Sequence, residues 1–243
     1  MMNMQELRQI NWRWLSGSGL KLLAMALMII DHTAGFYLRA FPAFVEPMFT
    51  LGHHGISWYF ICRCIGRIGF PIFAFLIVEG FLHTHDRKKY GLNLLIFALV
   101  SEVPWNLVHS GTWHHPTQNV LFTLLLGYLG LCALEYYAED KLRLAVALIG
   151  LLVVSVVLHA DYGCNGYAFI LFLYALRQNR LVQAVIGCGI LGSRWMGGLA
   201  FIPINMYNGQ RGFIQGRWAK YIFYVFYPAH LLILYFMQEA LMR

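Results

Sequence analysis

The stretch LKLLAMALMIIDH, residues 20–32, carries a lysine at one end and an Asp-His pair at the other. Lys21 and His32 are eleven positions apart. At about 100° per residue this is three turns plus roughly 20°, so both stand on one helix face, about 16 Å apart along the axis. A surface cation and a deep imidazole on one face fit a ligand with an anionic head and a long, thin arm. A coenzyme A thioester has that shape. Its phosphates need cations, its arm could carry an acyl group inward, and the imidazole could take a proton from an incoming amine or hydroxyl. Asp31 lies about 100° around the helix from His32, so its partner is expected on another helix. A purely structural reading pairs Asp31 with Arg67 and gives His32 an ordinary hydrogen bond.

Other ionisable groups fall inside apolar runs, where they are costly and are functional candidates. Arg63 and Arg67 share a helix face at a spacing of four. They could bind phosphates bidentately, or compensate Asp31 and Glu102. Gly66 and Gly69 permit close helix approach, and Pro71 can kink the span. Glu79 stands near the end of that span, one turn before His83. Glu102, two residues before Pro104, could orient an acceptor or neutralise Arg67. YNGQRG, residues 207–212, is a tight turn in which backbone amides beside Tyr207 and Asn208, together with Arg211, could cradle a phosphate. Tyr224 and His230 add polar groups to the last apolar run, and Arg194 lies inside the one before it.

Metal is not expected. The histidines at 53–54, 83, 85 and 114–115 find no Asp or Glu at a usual ligand spacing. There is no phosphate-binding glycine loop of the P-loop type and no Gly-x-Ser-x-Gly elbow.

The elements that must position these groups are membrane helices. Of 243 residues, 59% are hydrophobic and only 12% charged, and the mean hydropathy is +0.58. A soluble domain carries about 25% charged residues. The net charge of +7 suits cytoplasmic loops or an anionic ligand better than nucleic acid. Five cysteines, four of them in apolar runs, suggest no disulfide framework. Runs long enough to span fall near 20–38, 66–83, 89–108, 118–137, 142–159, 165–177, 181–206 and 218–240. Residues 56–65 either extend the second span or lie at the interface. Residues 1–19, rich in Trp and Arg, read as an interfacial arm. Basic loops after the second, fourth and sixth spans alternate with loops 109–117 and 159–164, which lack Lys and Arg. That alternation puts the N-terminus in the cytoplasm. One helix over 181–206 would place Arg211, Arg217 and Lys220 outside. Two half-length helices meeting near its glycines would return them to the cytoplasm, and this is the preferred reading.

GRIGFPIFAFLIVEGFLHTHDRKKY (66–90), LLIFALVSEVPWNL (94–107), NVLFTLLLGY (119–128), YNGQRG (207–212) and KYIFYVFYPAHLLILY (220–235) follow KLLAMALMIIDH in an order that resembles the TraX family. The resemblance runs from about residue 20 to the C-terminus. It implies kinship with a wider superfamily of transmembrane acyltransferases, which move acetyl groups from cytosolic acetyl-CoA to a sugar, peptide or lipid-linked acceptor. That group carries a basic residue, ten intervening residues and a histidine in its first span. Lys21 and His32 match the spacing, although arginine is common at the first position. The family is named for a membrane protein that acetylates the N-terminus of pilin; no pilus-specific feature stands in this chain.

The resulting expectation is an all-α, polytopic bundle of eight or nine membrane segments in the cell membrane, with residues 20–243 as one domain. It would transfer an acyl group from acetyl-CoA to an amine or hydroxyl of an unidentified acceptor, with membrane lipids as its other partners. His32 would be the base, with Asp31, Glu79 and Glu102 in its polar network. Lys21, Arg63, Arg67, Tyr207, Asn208 and Arg211 would contact the cofactor, and Tyr224 and His230 would line the pocket. The acceptor would arrive near Asp161 and Tyr162. A transporter or channel with a buried charge network is the alternative.

Overall fold

In a computed structural model, described for residues 12–52, 54–190, 192–216 and 219–242, the chain is almost wholly helical. The side chains of 54, 192–195 and 219–220 are outside that description, so the expectations for Arg194, Arg217, Lys220, the 53–54 histidines and the first part of the arm lie beyond it.

Local chemistry starts each long helix. Ser16 caps α1 (Gly17–His32) by accepting from the Gly19 amide. Ser57 caps α3 (Trp58–Gly66) the same way, after a short α2 (Pro42–Val45) and a small antiparallel hairpin, β1 (Phe49–Leu51) and β2 (His54–Ile56). α4 (Gly69–His83) continues from α3 after a single turn. Asp86 caps α5 (Arg87–Ser110), Asn119 caps α6 (Val120–Tyr136) and Asp140 caps α7 (Lys141–Val157). Each cap satisfies an amide that the helix itself leaves open. α8 (Gly163–Ala175), α9 (Arg180–Ile190), a 3-10 stretch Gly192–Ala200, α10 (Phe201–Asn205) and α11 (Ala219–Met242) complete the chain.

Among the described residues, four stretches are long and apolar enough to cross a membrane: Gly17–Ala40, Trp58–His83, Arg87–Ser110 and Tyr221–Met242. The second includes residues 58–65, so the segment before Gly66 extends the span. The stretch after Arg180 is broken into α9, the 3-10 stretch and α10. The Arg180 guanidinium donates to the carbonyls of Asn205 and Tyr207, at 3.3 and 3.1 Å. The segment therefore leaves and returns at one end of the bundle. α5 runs unbroken through Pro104.

That end, where α1 begins, is the basic end. The segments carrying Arg87, Lys88 and Lys89, Lys141 and Arg143, Arg177 and Arg180, and Arg211 stand there, whereas Arg39, Arg63 and Arg67 do not. The core lies between α1, α4, α6 and α8, around Leu20, Ile72, Phe81, Leu131 and Phe169. α7 packs at the rim and turns Leu142, Val146, Ile149 and Val153 outward, as suits a helix facing lipid.

Close approaches depend on glycine. A Cβ at Gly66 would overlap the Cβ and carboxylate of Asp31, so only glycine lets the end of α3 sit against α1 there. Gly66→Ala should lower the stability of the purified protein by about 1–3 kcal/mol, the usual cost of overpacking. Gly150→Ala on α7, where nothing lies within 4 Å, should be neutral or slightly stabilising. Thermal unfolding of both variants in detergent checks the contrast.

Candidate functional site

His32 is the last residue of α1, and the chain leaves it through a π-type turn, Thr33–Tyr37. Such turns occur often at functional sites. The Nδ1 of His32 lies 2.7 Å from the Nε2 of His230 on α11, with the two rings stacked at 5.0 Å and 13°. The Nδ1 of His230 lies 2.9 Å from the carbonyl of Phe226. A carbonyl only accepts, so that Nδ1 carries the proton and Nε2 of a neutral His230 accepts. The proton between the rings therefore belongs to His32 Nδ1. Its Nε2 is left with a lone pair, and no described residue bonds it. This is the tautomer a general base needs.

Asp31 turns away from His32, as its position on the helix requires. Its carboxylate accepts from the Arg63 guanidinium at 2.8 Å, and its carbonyl takes a second, longer bond of 3.3 Å. Gly35 makes room for that guanidinium: a Cβ there would stand 2.9 Å from Arg63 Nη1. Arg67, one turn further along, is not the partner of Asp31. Around these groups lies a cavity of about 190 Å³, lined by Asp31, His32, Arg63, Arg67, His109 and Asp161 among others. His109 is held by the Trp105 carbonyl at 2.9 Å and packs edge-on against Phe36.

A second cavity, of about 580 Å³, reaches the basic end. Lys21, Lys89 and Arg211 line it, with Glu79, Tyr207 and Tyr224. The loop carrying Arg211 is laced to the start of α1. Gly17 and Ser18 donate their amides to the carbonyls of Gln210 and Arg211, at 2.8 and 2.9 Å, and the Ser18 hydroxyl also donates to Arg211. Gly212, at φ +91°, has no room for a Cβ beside Ser16 and Ser18. Lys21 and Arg211 are thus presented by one rigid corner, with the Lys21 ammonium also 4.9 Å from the Phe223 ring centre. Burial, then the nearby Glu79 carboxylate, push the Tyr207 phenol above its ordinary value, so it stays protonated. Tyr224 stacks on Phe97 at 4.9 Å.

The two cavities meet at a shared wall of Met28, Phe73, Val120, Leu124 and Tyr227. Lys21, Met25 and Met28 line the larger cavity, and Met28 and His32 the smaller. These positions are separated by four, three and four residues, so a single stripe of α1 connects the two spaces. The Tyr227 hydroxyl is buried in this wall and finds no acceptor for its proton among the described residues.

The expected site residues therefore divide. His32, Asp31, Arg63 and Arg67 gather in the smaller cavity, with His230 behind His32. Lys21, Glu79, Tyr207, Arg211 and Tyr224 gather in the larger. Glu102 lines neither: it accepts from the Asn119 side chain at 2.6 Å and fixes the cap of α6. Asn208 accepts from the Gln210 amide at 2.9 Å and donates its own amide to Leu15, so these two turn amides hold the loop rather than a ligand. His109 and Tyr227 went unsuspected in the sequence. The Trp105–His109 spacing of four was the only signal for the first.

Nitrogen NMR on the histidine-labelled protein should show His32 protonated at Nδ1 and bare at Nε2, with a coupling across the bond to His230. His230→Phe should abolish that coupling. A bare Nδ1 on His32 would contradict the assignment.

Comparison with known proteins agrees with the region these residues occupy. The model of the TraX family, described as TraX protein, matches residues 16–238. The chain is 28% identical over 247 residues to the probable fimbrial assembly protein FimC, serogroup H1, of Dichelobacter nodosus, a match covering 88% of this chain and 92% of that protein. No solved structure matches. With the family model covering nearly its whole length, the chain belongs to the TraX family.

Proposed function

We propose that the chain is a multi-pass acyltransferase of the cell membrane, with eight or nine membrane segments and a cytoplasmic N-terminus, within the wider superfamily of transmembrane acyltransferases. Acetyl-CoA is the donor. The observation that carries this reading is the pair of cavities joined along one stripe of α1: a large basic one at Lys21 and Arg211, and a small polar one at His32.

The cytoplasmic cavity takes the phosphates, with Lys21, Lys89 and Arg211 as counter-charges. The thioester arm lies along Met25 and Met28 and passes the shared wall. In the small cavity, His32 Nε2 takes a proton from the acceptor amine or hydroxyl as that atom attacks the thioester carbonyl. The new C–N or C–O bond forms, the C–S bond breaks, and the imidazolium returns its proton to the leaving thiolate. His230 accepts from the imidazolium through the same hydrogen bond and keeps the ring oriented. The acceptor, a peptide, glycan or lipid-linked group, enters from the other end near Asp161 and Tyr162. The name of the relative from Dichelobacter nodosus points to fimbrial assembly, with which a peptide amine is compatible.

Acetyl-CoA should stabilise the purified protein, by about 2.7 kcal/mol at a concentration about 100 times its Kd. Lys21→Ala and Arg211→Ala should each weaken binding by about tenfold or more. His32→Ala should keep CoA binding and lose acyl transfer by about 10²–10⁴. Thermal shift and native mass spectrometry measure the binding, and release of the CoA thiol measures turnover. A folded sample that binds no CoA overturns the proposal.

A further inference from the structure

The smaller cavity holds a cation that this reaction leaves unused. Arg63 is committed to Asp31. Arg67 lines the same space as His32, yet its guanidinium makes no ion pair or hydrogen bond among the described residues. The CoA phosphates are provided for elsewhere, since Lys21, Lys89 and Arg211 line the other cavity. Its position is also unusual for a basic residue. With Arg39 and Arg63 it stands away from the basic end, and a membrane chain places few cations on that side. An arginine inside a long apolar segment is costly unless something pairs with it. Asp161, from the loop before α8, lines the same cavity and would repel a second negative charge. The volume of about 190 Å³ suits a small head group rather than a whole oligosaccharide or a folded partner.

We infer that the smaller cavity is an acceptor site in which Arg67 binds a single carboxylate or phosphate borne beside the acyl-accepting amine or hydroxyl. Guanidinium geometry matches either group bidentately. The substrate class rests on the acyltransferase reading, and the anion site on the cavity itself.

Three probes with a common aminoethyl arm separate the possibilities: ethanolamine, β-alanine and phosphoethanolamine. Arginine modification by phenylglyoxal is followed residue by residue by mass spectrometry on the whole protein in detergent. At a probe concentration about ten times its Kd, Arg67 modification should slow about tenfold with β-alanine or phosphoethanolamine. Ethanolamine should give no protection, and Arg39 should react alike throughout. Protection by only one anion identifies carboxylate or phosphate as the group recognised. The inference is overturned if neither anion protects Arg67, if ethanolamine protects it equally, or if Arg39 is protected to the same degree. CoA in the same assay should protect Arg211 and not Arg67. Loss of the first effect counts against the acyl-CoA reading alone, whereas protection of Arg67 by CoA returns this arginine to the donor and overturns the acceptor site.

Discussion

The Asp31–Arg63 ion pair sets the geometry around it. Both groups stand within long apolar segments, where a lone charge is expensive and breaking a pair leaves the other charge stranded. The pair has room because Gly35, in the turn after α1, leaves space for the guanidinium, and Gly66, at the end of α3, leaves space for the carboxylate. Once it forms, the crossing of α1 against α3 and α4 has little freedom. That crossing aims His32 at His230 on one side and opens the small cavity toward Arg67 on the other. Asp31 thus acts on His32 through the backbone they share rather than through a hydrogen bond between them.

At the other end of α1 the constraint comes from backbone hydrogen bonding. The first amides of the helix have no partners of their own. Gln210 and Arg211 supply them with carbonyls, so residues some two hundred positions apart become one corner. The helix start is then unavailable as an anion site, and the positive charge in the cavity comes from side chains. Lys21 is a point charge with a flexible stem, while Arg211 stands on a loop held in place by its own carbonyl. α1 therefore works as a ruler: its two ends are fixed independently, and the distance between cation and imidazole is set by helical rise alone.

What could be read in the sequence follows from how local each interaction is. The Lys21–His32 face follows from the helical repeat, and the structure keeps it. The direction of Asp31 was legible for the same reason. Its partner was not, because Arg63 and Arg67 sit on the same helical face and only the three-dimensional crossing chooses between them. The bond between His32 and His230 joins positions 198 apart, and no periodicity announces such a pair. Glu102 and Asn208 look like site residues because they are polar groups among apolar ones or in a glycine turn. Their partners are backbone or cap groups nearby, so their role is to hold α6 and the loop. In the fold, long apolar helices were readable from length. The break after Arg180 was readable from glycines and from loop charge, whereas the hairpin at 49–56 carries no clear alternation and was not anticipated.

The wall between the cavities bears on the choice between acyl transfer and transport. A path for ions or polar solutes needs polar groups along its length to replace the water that is lost. Here the wall that the two cavities share is Met28, Phe73, Val120, Leu124 and Tyr227, four of them apolar. Methionine is the most adaptable of these side chains, with three rotatable bonds and a polarisable sulfur. Rotation of Met28 would admit a thin, uncharged arm at modest cost, while phosphates and bulk water stay behind. A thioester offers such an arm, and under the proposed reaction the imidazole on the far side would act on its end. Under the proposed acyl transfer, such an apolar wall would keep the charged donor head on one side and the acceptor on the other, so that only the acyl group changes places.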